Sequence, residues 1–595
     1  MPMRVIQANR FVRLVPVLFA CMPCMAWSQQ AHANAFADTI LTNARVWTVD
    51  DAKPEAEAIA IGGTKILFVG GSKQALLYQG PSTKVLDLHG ARVLPGFNDA
   101  HTHFENATQW FFEARLIDVN TESEMVERVR EAAKRVPAGM WITAIDMSGK
   151  AAWAAQKKND ASFKPLEPVL ADVDRAAGDH PVLLKRYDGA IFINTRAMEL
   201  IHLNPEMSDP TGGSYGRDAA GKLNGMQYGK AAQVTSAIVP APTMAVKLIA
   251  ARGVASQMNA FGITSIHDIA RLDAISQLQT YTVDIERSYS DVDIFRNLEK
   301  RGELTVRVYA YQPLRSWSQL AQFGVTPGSG DEFLRFGILK DFVDGGWMQE
   351  AYANRPNYRG GVTFRFTTDA EERQWIDSAD KAGFDLGFHT IGDKALSTVL
   401  DWYSEAVRVN GPRADRRDRI IHMWYGKSED IRLAGAMHLI ADVTPSQLLE
   451  DPDAVMRQFG PARAKTAYAW RSMIDAGMRV DLVSDMPGLY NRMEASPYNP
   501  LENMYYAITR QNADGLPAGG WHPEQCMTLK EAVAAYTINP AFASHEEKIK
   551  GSITAGKLAD LVILSEDIFA VKPAELLKTK VTMTMLGGKV VYQAE

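Results

Sequence analysis

Residues 96–105 read GFNDAHTHFE, with two histidines one position apart at the end of a short apolar run. In extended backbone, residues i and i+2 project to the same face, so His101 and His103 present two imidazoles side by side where a strand would enter its loop. Two imidazoles so placed suit one metal ion, but a lone H-x-H is also compatible with hydrogen-bonded core histidines. The surrounding sequence has to decide.

The same arrangement recurs downstream. His389 in GFDLGFHTIGD, His422 in RIIHMWYG and Asp485 in RVDLVSDMPG each follow a short apolar run and precede a polar turn. ITSIHDIA and RFGILKDFVDGG, the latter carrying Lys340, share the design. Amphipathic helices lie between these runs. TESEMVERVREAAKRV opens with the capping box Thr121-x-x-Glu124 and sets Met125, Val129, Ala132 and Val136 on one stripe, and TLKEAVAAYTINPA repeats the device with Thr528 and Glu531. The alternation predicts parallel strands of an α/β barrel, whose ionisable residues would gather where strands run into the following loops.

Both ends of the chain have a different character. Residues 38–94 are short β runs broken by turn residues, and GKLADLVILSED with TMTMLGGKVVYQ repeats that pattern near the C-terminus. The two are expected to form one small β domain, 36–95 with 545–595, flanking a barrel of 96–544. A stretch at about 110–250, rich in aromatics and turns, interrupts the alternation and reads as an insertion after the first barrel strand. Its QWFF at 109–112, Trp141, Trp153, Tyr187 and Phe192 either line an apolar pocket or build the insertion's own core.

Composition narrows the function. The 595 residues are 46% hydrophobic and 23% charged, and the net charge of −6 comes without long basic blocks. Nucleic acid and anionic membrane surfaces are therefore not implied partners, and a small-molecule substrate is. Residues 1–35 carry Arg4, Arg10 and Arg13, no acidic residue, an apolar middle and the ending Ala33-Asn34-Ala35, the pattern of a cleaved signal peptide. Export to the periplasm or medium is expected. The apolar run is too short and interrupted for a membrane span. Cys21 and Cys24 lie in the leader, so Cys526 alone remains in the mature chain, which has no internal disulfide. The sequence leaves a homo-oligomer open.

Four histidines and a carboxylate at strand ends are a ligand set suited to zinc and similar divalent ions. Water on such an ion titrates near neutrality, and a nearby carboxylate can take its proton. Lys340 has two readings. A lysine at a strand end ordinarily snorkels to solvent; among metal ligands it is a candidate for carbamylation, which would make it an anionic bridge between two ions.

Taken in order, LPGFNDAHTHFE, LKDFVDGG, FHTIGDKA, IIHMW, LVSDMPG and GSITAGKLADLVIL resemble the amidohydrolase superfamily, in particular its YtcJ-like branch, which includes N-substituted formamide deformylases. The resemblance covers nearly everything after Asp38. It implies a distorted (β/α)8 TIM barrel with a β-sandwich made from both chain ends. Carried over by position, it implies His101 and His103 as ligands of one metal, His389 and His422 as ligands of a second, Lys340 as the carbamylated bridge, and Asp485 as metal ligand and catalytic base; the sequence leaves open whether one ion or two is held. The implied activity is hydrolysis of an amide-type C–N bond by metal-activated water, on a small N-acyl or N-formyl substrate with an apolar or aromatic part. A cyclic amide, carbamate, N-acyl amino acid or ester is the alternative, and a non-catalytic metal-binding barrel a more distant one. In the insertion, PVLLKRYDGAIFIN matches a family segment that commonly reads Arg-x-Asp-Gly-His, with Ala190 in place of that histidine. Arg186 and Asp188 are accordingly candidate substrate-binding residues, against the plainer reading of a structural salt bridge, and Ala190 points to altered specificity.

Overall fold

The computed structural model describes residues 36–595 apart from 117–118, 145–146, 148–161, 187, 241, 273–289, 345–367, 450–451 and 488–498. The leader, Trp153 and Tyr187 lie outside the described residues.

Eight strands, β1 (Phe97–Thr102), β2 (Ile263–Arg271), β3 (Arg307–Pro313), β4 (Leu334–Phe342), β5 (Asp385–Thr390), β6 (Arg419–His422), β7 (Ile440–Val443) and β8 (Arg479–Leu482), pair in parallel, each with the next. The ring closes through the residues that follow β8. The Ser484 N–H donates to Asp99 at 3.0 Å, Asp485 N–H to the His101 carbonyl at 3.0 Å, and His103 N–H to the Met486 carbonyl at 2.7 Å. The strands are buried along nearly their whole length, as parallel strands covered on both faces must be. Ile269, Tyr309, Tyr311, Ile338, Phe342 and Ile421 pack together inside. The runs at 263, 334, 385, 419 and 479 thus become strands as expected. β3 and β7 are strands that the apolar pattern did not reveal.

Both expected capping boxes form. Thr121 opens helix α2 (Glu122–Arg135), which follows α1 (Phe104–Phe112), and Thr528 opens the helix Leu529–Ala535; in each the hydroxyl accepts from the N3 amide while the N3 glutamate accepts in return. Met125, Val129 and Ala132 are fully buried in the core of the insertion, to which α2 belongs. The insertion sits between α1 and α3 (Met244–Ala260) and holds a five-stranded sheet ordered Gly213–Arg217, Leu223–Gly229, Ile191–Ile193, Val182–Lys185, Ile142–Ala144. Its own core includes Ile142, Val173, Leu184 and Phe192. Phe111, Phe112, Trp141 and Phe192 serve cores of this region.

The chain ends form two facing sheets. One has four strands from residues 37–87; the other has six, in which Leu561–Leu564 runs antiparallel to Arg92–Pro95 and so joins the two ends of the chain. Leu41, Val46, Ile59, Ile61, Val93, Leu561 and Ile563 fill the space between. Only Gly96 separates Arg92–Pro95 from β1, and a Cβ there would stand 2.3 Å from Thr264 Oγ1 on β2, so close approach of strands demands glycine. The sandwich is also fastened to the barrel by the buried pair Arg307–Asp560, which is bidentate at 2.7 and 2.9 Å. Among the described residues no helix is long and apolar enough to cross a membrane.

Candidate metal centre

The strand ends at one mouth of the barrel bring the six expected residues together. β1 delivers His101 and His103, β4 Lys340, β5 His389, β6 His422, and the turn after β8 Asp485. All six are buried. Asp485 Oδ1 lies 3.4 Å from His101 Nε2 and 3.3 Å from His103 Nε2, so these three side chains can share one cation. His422 joins them, its ring centroid 5.5 Å from that of His101 and 4.5 Å from that of His389. Lys340 bears electrostatically on His101, His389, His422 and Asp485.

Two of these side chains leave the backbone in an uncommon conformation. His422 has φ +75° and Asp485 φ +56°, the left-handed region that non-glycine residues seldom adopt. At the end of a buried parallel strand this turn redirects the side chain into the mouth instead of along the strand. Such strain persists where the surrounding structure enforces it; the bonds from Asp485 and His103 across the β8–β1 seam hold the turn at Asp485, and the Met423 N–H, donating to the Thr390 carbonyl at 2.9 Å, holds the one at His422.

Electrostatics prepare the donors. Burial, reinforced by Lys340 and neighbouring imidazoles, holds His101 well below the usual histidine range, and burial likewise depresses His389. His422 is lowered by burial to about 4, with Asp485 opposing. These imidazoles are neutral at pH 7, the form that ligates metal. Burial alone would raise Asp485, but His422, His103 and Lys340 outweigh it and keep the carboxyl ionised. Burial pulls Lys340 down to about 7, against the pull of Asp485, Asp442 and Asp341. The Nδ1 atoms of His101 and His422 are buried without hydrogen-bond partners among the described residues. A buried cluster of imidazoles around one carboxylate fits a divalent cation: His101, His103 and Asp485 would hold it, with His389 and His422 beside Lys340 suited to a second.

The supporting shell was not visible in the sequence reading. Asp268 on β2 accepts from Thr102 Oγ1 at 2.9 Å and from the Phe104 amide at 2.6 Å, fixing the backbone on either side of His103. Asp344 accepts from the Ile391 and Gly392 amides at 3.0 Å each and so sets the loop after His389. Gln447, in α4 (Pro445–Leu449) after β7, donates to Asp485 Oδ2 at 2.9 Å. A polar residue just past a strand end was the available signal, and 440–443 was not recognised as a strand.

Arg186 and Asp188 lie in the hairpin between Val182–Lys185 and Ile191–Ile193. Their side chains pair bidentately at 2.9 and 2.8 Å, and Arg186 also meets Glu167 at 3.3 Å and the ring of Tyr228. The Arg186 amide donates to the Ala190 carbonyl, and Gly189 has φ +86°, which closes the loop. Ala190 is 3% exposed and packs in the insertion core with Leu184 and Phe192. Arg510 is fully buried between Trp470 and Trp521 and donates to the carbonyl of Tyr468, a scaffold position.

A closed parallel barrel with histidines, a lysine and an aspartate at its strand ends, flanked by a sandwich of both chain ends, defines a metal-dependent hydrolase of the amidohydrolase type. Residues 84–592 match the amidohydrolase family, and the chain belongs to that family. It is similar to the putative amidohydrolase YtcJ of Bacillus subtilis, 26% identical over 87% of this chain and 92% of the relative. The N-substituted formamide deformylase of Arthrobacter pascens is 28% identical over 93% of this chain and 98% of the relative. The protein LONG AFTER FAR-RED 3 of Arabidopsis thaliana is 28% identical over 94% and 92%. An uncharacterized metal-dependent hydrolase from Pyrococcus furiosus shares the fold with a TM-score of 0.64 at 20% identity, covering 89% of this chain and 99% of its own.

Proposed function

We propose that this hydrolase cleaves an amide-type C–N bond in a small N-acyl or N-formyl substrate with an apolar or aromatic part, and that its cofactor is zinc. The observation that carries the reading is the convergence of one ionised carboxylate, Asp485, on the imidazoles of His101 and His103. Likeness to the formamide deformylase supports the choice of bond. His101, His103 and Asp485 would hold one ion, His389 and His422 a second, and Lys340, carbamylated, would bridge them. Ions so held polarise a carbonyl oxygen and lower the pKa of water. Asp485 takes the proton of the attacking water at Oδ1 and returns it to the leaving nitrogen as the C–N bond breaks. The lowered pKa of Lys340 supports carbamylation, because only an unprotonated amine adds to carbon dioxide and burial raises the share of that form near neutrality. The arginine-bearing leader supports export to the periplasm or medium. Arg186, tied to Asp188, fits the hairpin's scaffold, and reaches substrate only if that pair opens.

The test is metal content per chain of the purified mature protein, with and without bicarbonate, alongside hydrolysis of a panel of N-formyl and N-acyl aromatic amines. About two zinc ions per chain, rising with bicarbonate, together with turnover of the panel, is the expected result. Protein without metal and without turnover would overturn the reading in favour of a barrel that only binds.

A further inference from the structure

Three consecutive barrel strands end in three side chains linked by hydrogen bonds. After β6, two residues beyond His422, the Trp424 indole Nε1–H donates to Gln447 Oε1 at 2.9 Å. After β7, Gln447 Nε2 donates to Asp485 Oδ2 at 2.9 Å. After β8, the other oxygen of Asp485 faces the imidazoles of His101 and His103. Gln447 is half-buried and Asp485 buried, and the same amide also bears on His422.

The order of atoms along this chain follows from chemistry. An indole N–H can only donate, and an ionised carboxylate can only accept. An amide placed between them has one acceptable orientation: its oxygen must face the indole and its nitrogen the carboxylate. The reverse would set N–H against N–H at one end and oxygen against oxygen at the other. Trp424 thus fixes Gln447, which occupies Asp485 Oδ2 with a donor. Oδ1 remains the oxygen that faces the imidazoles of His101 and His103, where a cation would be held. Trp424 is itself held, its ring stacked on Tyr468 at a centroid distance of 5.6 Å.

We propose that Gln447, oriented by the indole of Trp424, is the positioning residue that divides the two oxygens of Asp485, reserving Oδ1 for the metal centre. This rests on the metal reading above and adds residues to it that no family match assigns. Partners of this kind that orient metal ligands are worth about 10–100-fold in metal affinity or activity.

The experiment measures zinc affinity by competition with a chromophoric chelator, using the full mature chain stripped of metal, for wild type, Gln447→Leu, Trp424→Phe and the double variant. Thermal transitions of the zinc-free proteins are recorded alongside. Gln447→Leu is expected to weaken zinc about 10–100-fold and Trp424→Phe to weaken it less. The double variant should bind no more weakly than Gln447→Leu alone, because the indole acts only through the amide. Zinc-free transitions should stay close to wild type. Wild-type affinity in Gln447→Leu, or losses that simply add in the double variant, would overturn the inference. If Gln447→Leu does not fold, Trp424→Phe decides: weakened binding supports the chain and unchanged binding overturns it. A wild-type protein that binds no divalent ion overturns the metal reading as well, whereas wild-type binding with unaffected variants overturns this inference alone.

Discussion

The main-chain N–H of Asp485 donates to the main-chain carbonyl of His101 at 3.0 Å. The last strand of the barrel is therefore joined to the first at the two residues whose side chains must meet. Closure of the fold and assembly of the metal centre are one event: the hydrogen bond that completes the ring also brings Asp485 Oδ1 to within 3.4 Å of the His101 imidazole. A barrel that failed to close would have no site.

Because that seam is held by main-chain groups, the side chains can be changed with little damage to the fold. Asp485→Asn and His101→Ala should each lower turnover by about 10³-fold while shifting Tm by roughly a few degrees. His101→Ala should also lose zinc. The check is steady-state hydrolysis on the amide panel with metal analysis and calorimetry; wild-type rates in either variant would remove the residue from the mechanism.

Lys340 makes the stability of the metal-free protein depend on pH. Burial lowers its folded pKa from 10.5 to about 7. Below pH 7 both folded and unfolded states hold the proton, and the cost of the buried ammonium is fully present. Between about 7 and 10.5 the unfolded chain binds more protons, so stability rises with pH. Lys340→Met should therefore stabilise chelator-stripped protein by at most about 5 kcal/mol at pH 6, falling to about 1 kcal/mol near pH 9.5. Denaturant unfolding across that range tests it, and a gain independent of pH would show that the lysine keeps its proton in the fold with an unshifted pKa.

What the sequence made legible, and what it hid, divides along the range of the interactions. Thr121 with Glu124 and Thr528 with Glu531 are local, so the helix starts could be read directly. The strands leading to His101, His389, His422 and Asp485 could be read because each short apolar run gives way to an ionisable residue before a polar turn. β3 and β7 escaped because they run into Pro313 and Thr444, with no ionisable residue to mark the strand end. Arg307 on β3 is buried against Asp560, and Asp442 on β7 sits beside Arg419, partners far away in sequence. Gln447 was invisible because its meaning lies in Trp424 and Asp485, on the two flanking strands. Arg186 and Asp188, two residues apart in a hairpin, could be read from spacing as a pair.

The Arg307–Asp560 pair should carry much of the coupling between sandwich and barrel. Asp560 also accepts from the Gly587 amide at 2.7 Å, so one carboxylate serves both modules. Removing it leaves a guanidinium buried without its counter-ion. Asp560→Ala should cost about 3–5 kcal/mol, whereas replacing the exposed partner in Arg45–Asp567 should cost under about 1 kcal/mol. Denaturant titration of both variants checks the contrast, and equal effects would show that the buried pair is not what fastens the two modules.

Ala190 gives the sharpest test of the insertion. The family segment places a histidine here, and on sequence grounds alone Ala190→His should shift substrate preference more than metal content. The structure puts this side chain in the insertion core beside Leu184 and Phe192, at 3% exposure. An imidazole there must either displace packed neighbours or bury a polar ring. Overpacking a filled core costs about 1–3 kcal/mol, and divalent metal content should be untouched because the residues proposed to hold the metal stand at the ends of the barrel strands. The expected outcome is a lower Tm, unchanged metal stoichiometry, and a specificity profile on the amide panel that moves only as far as the insertion loosens. A variant with wild-type Tm and a sharply altered profile would instead show that the hairpin carrying Arg186 and Asp188 opens to admit substrate.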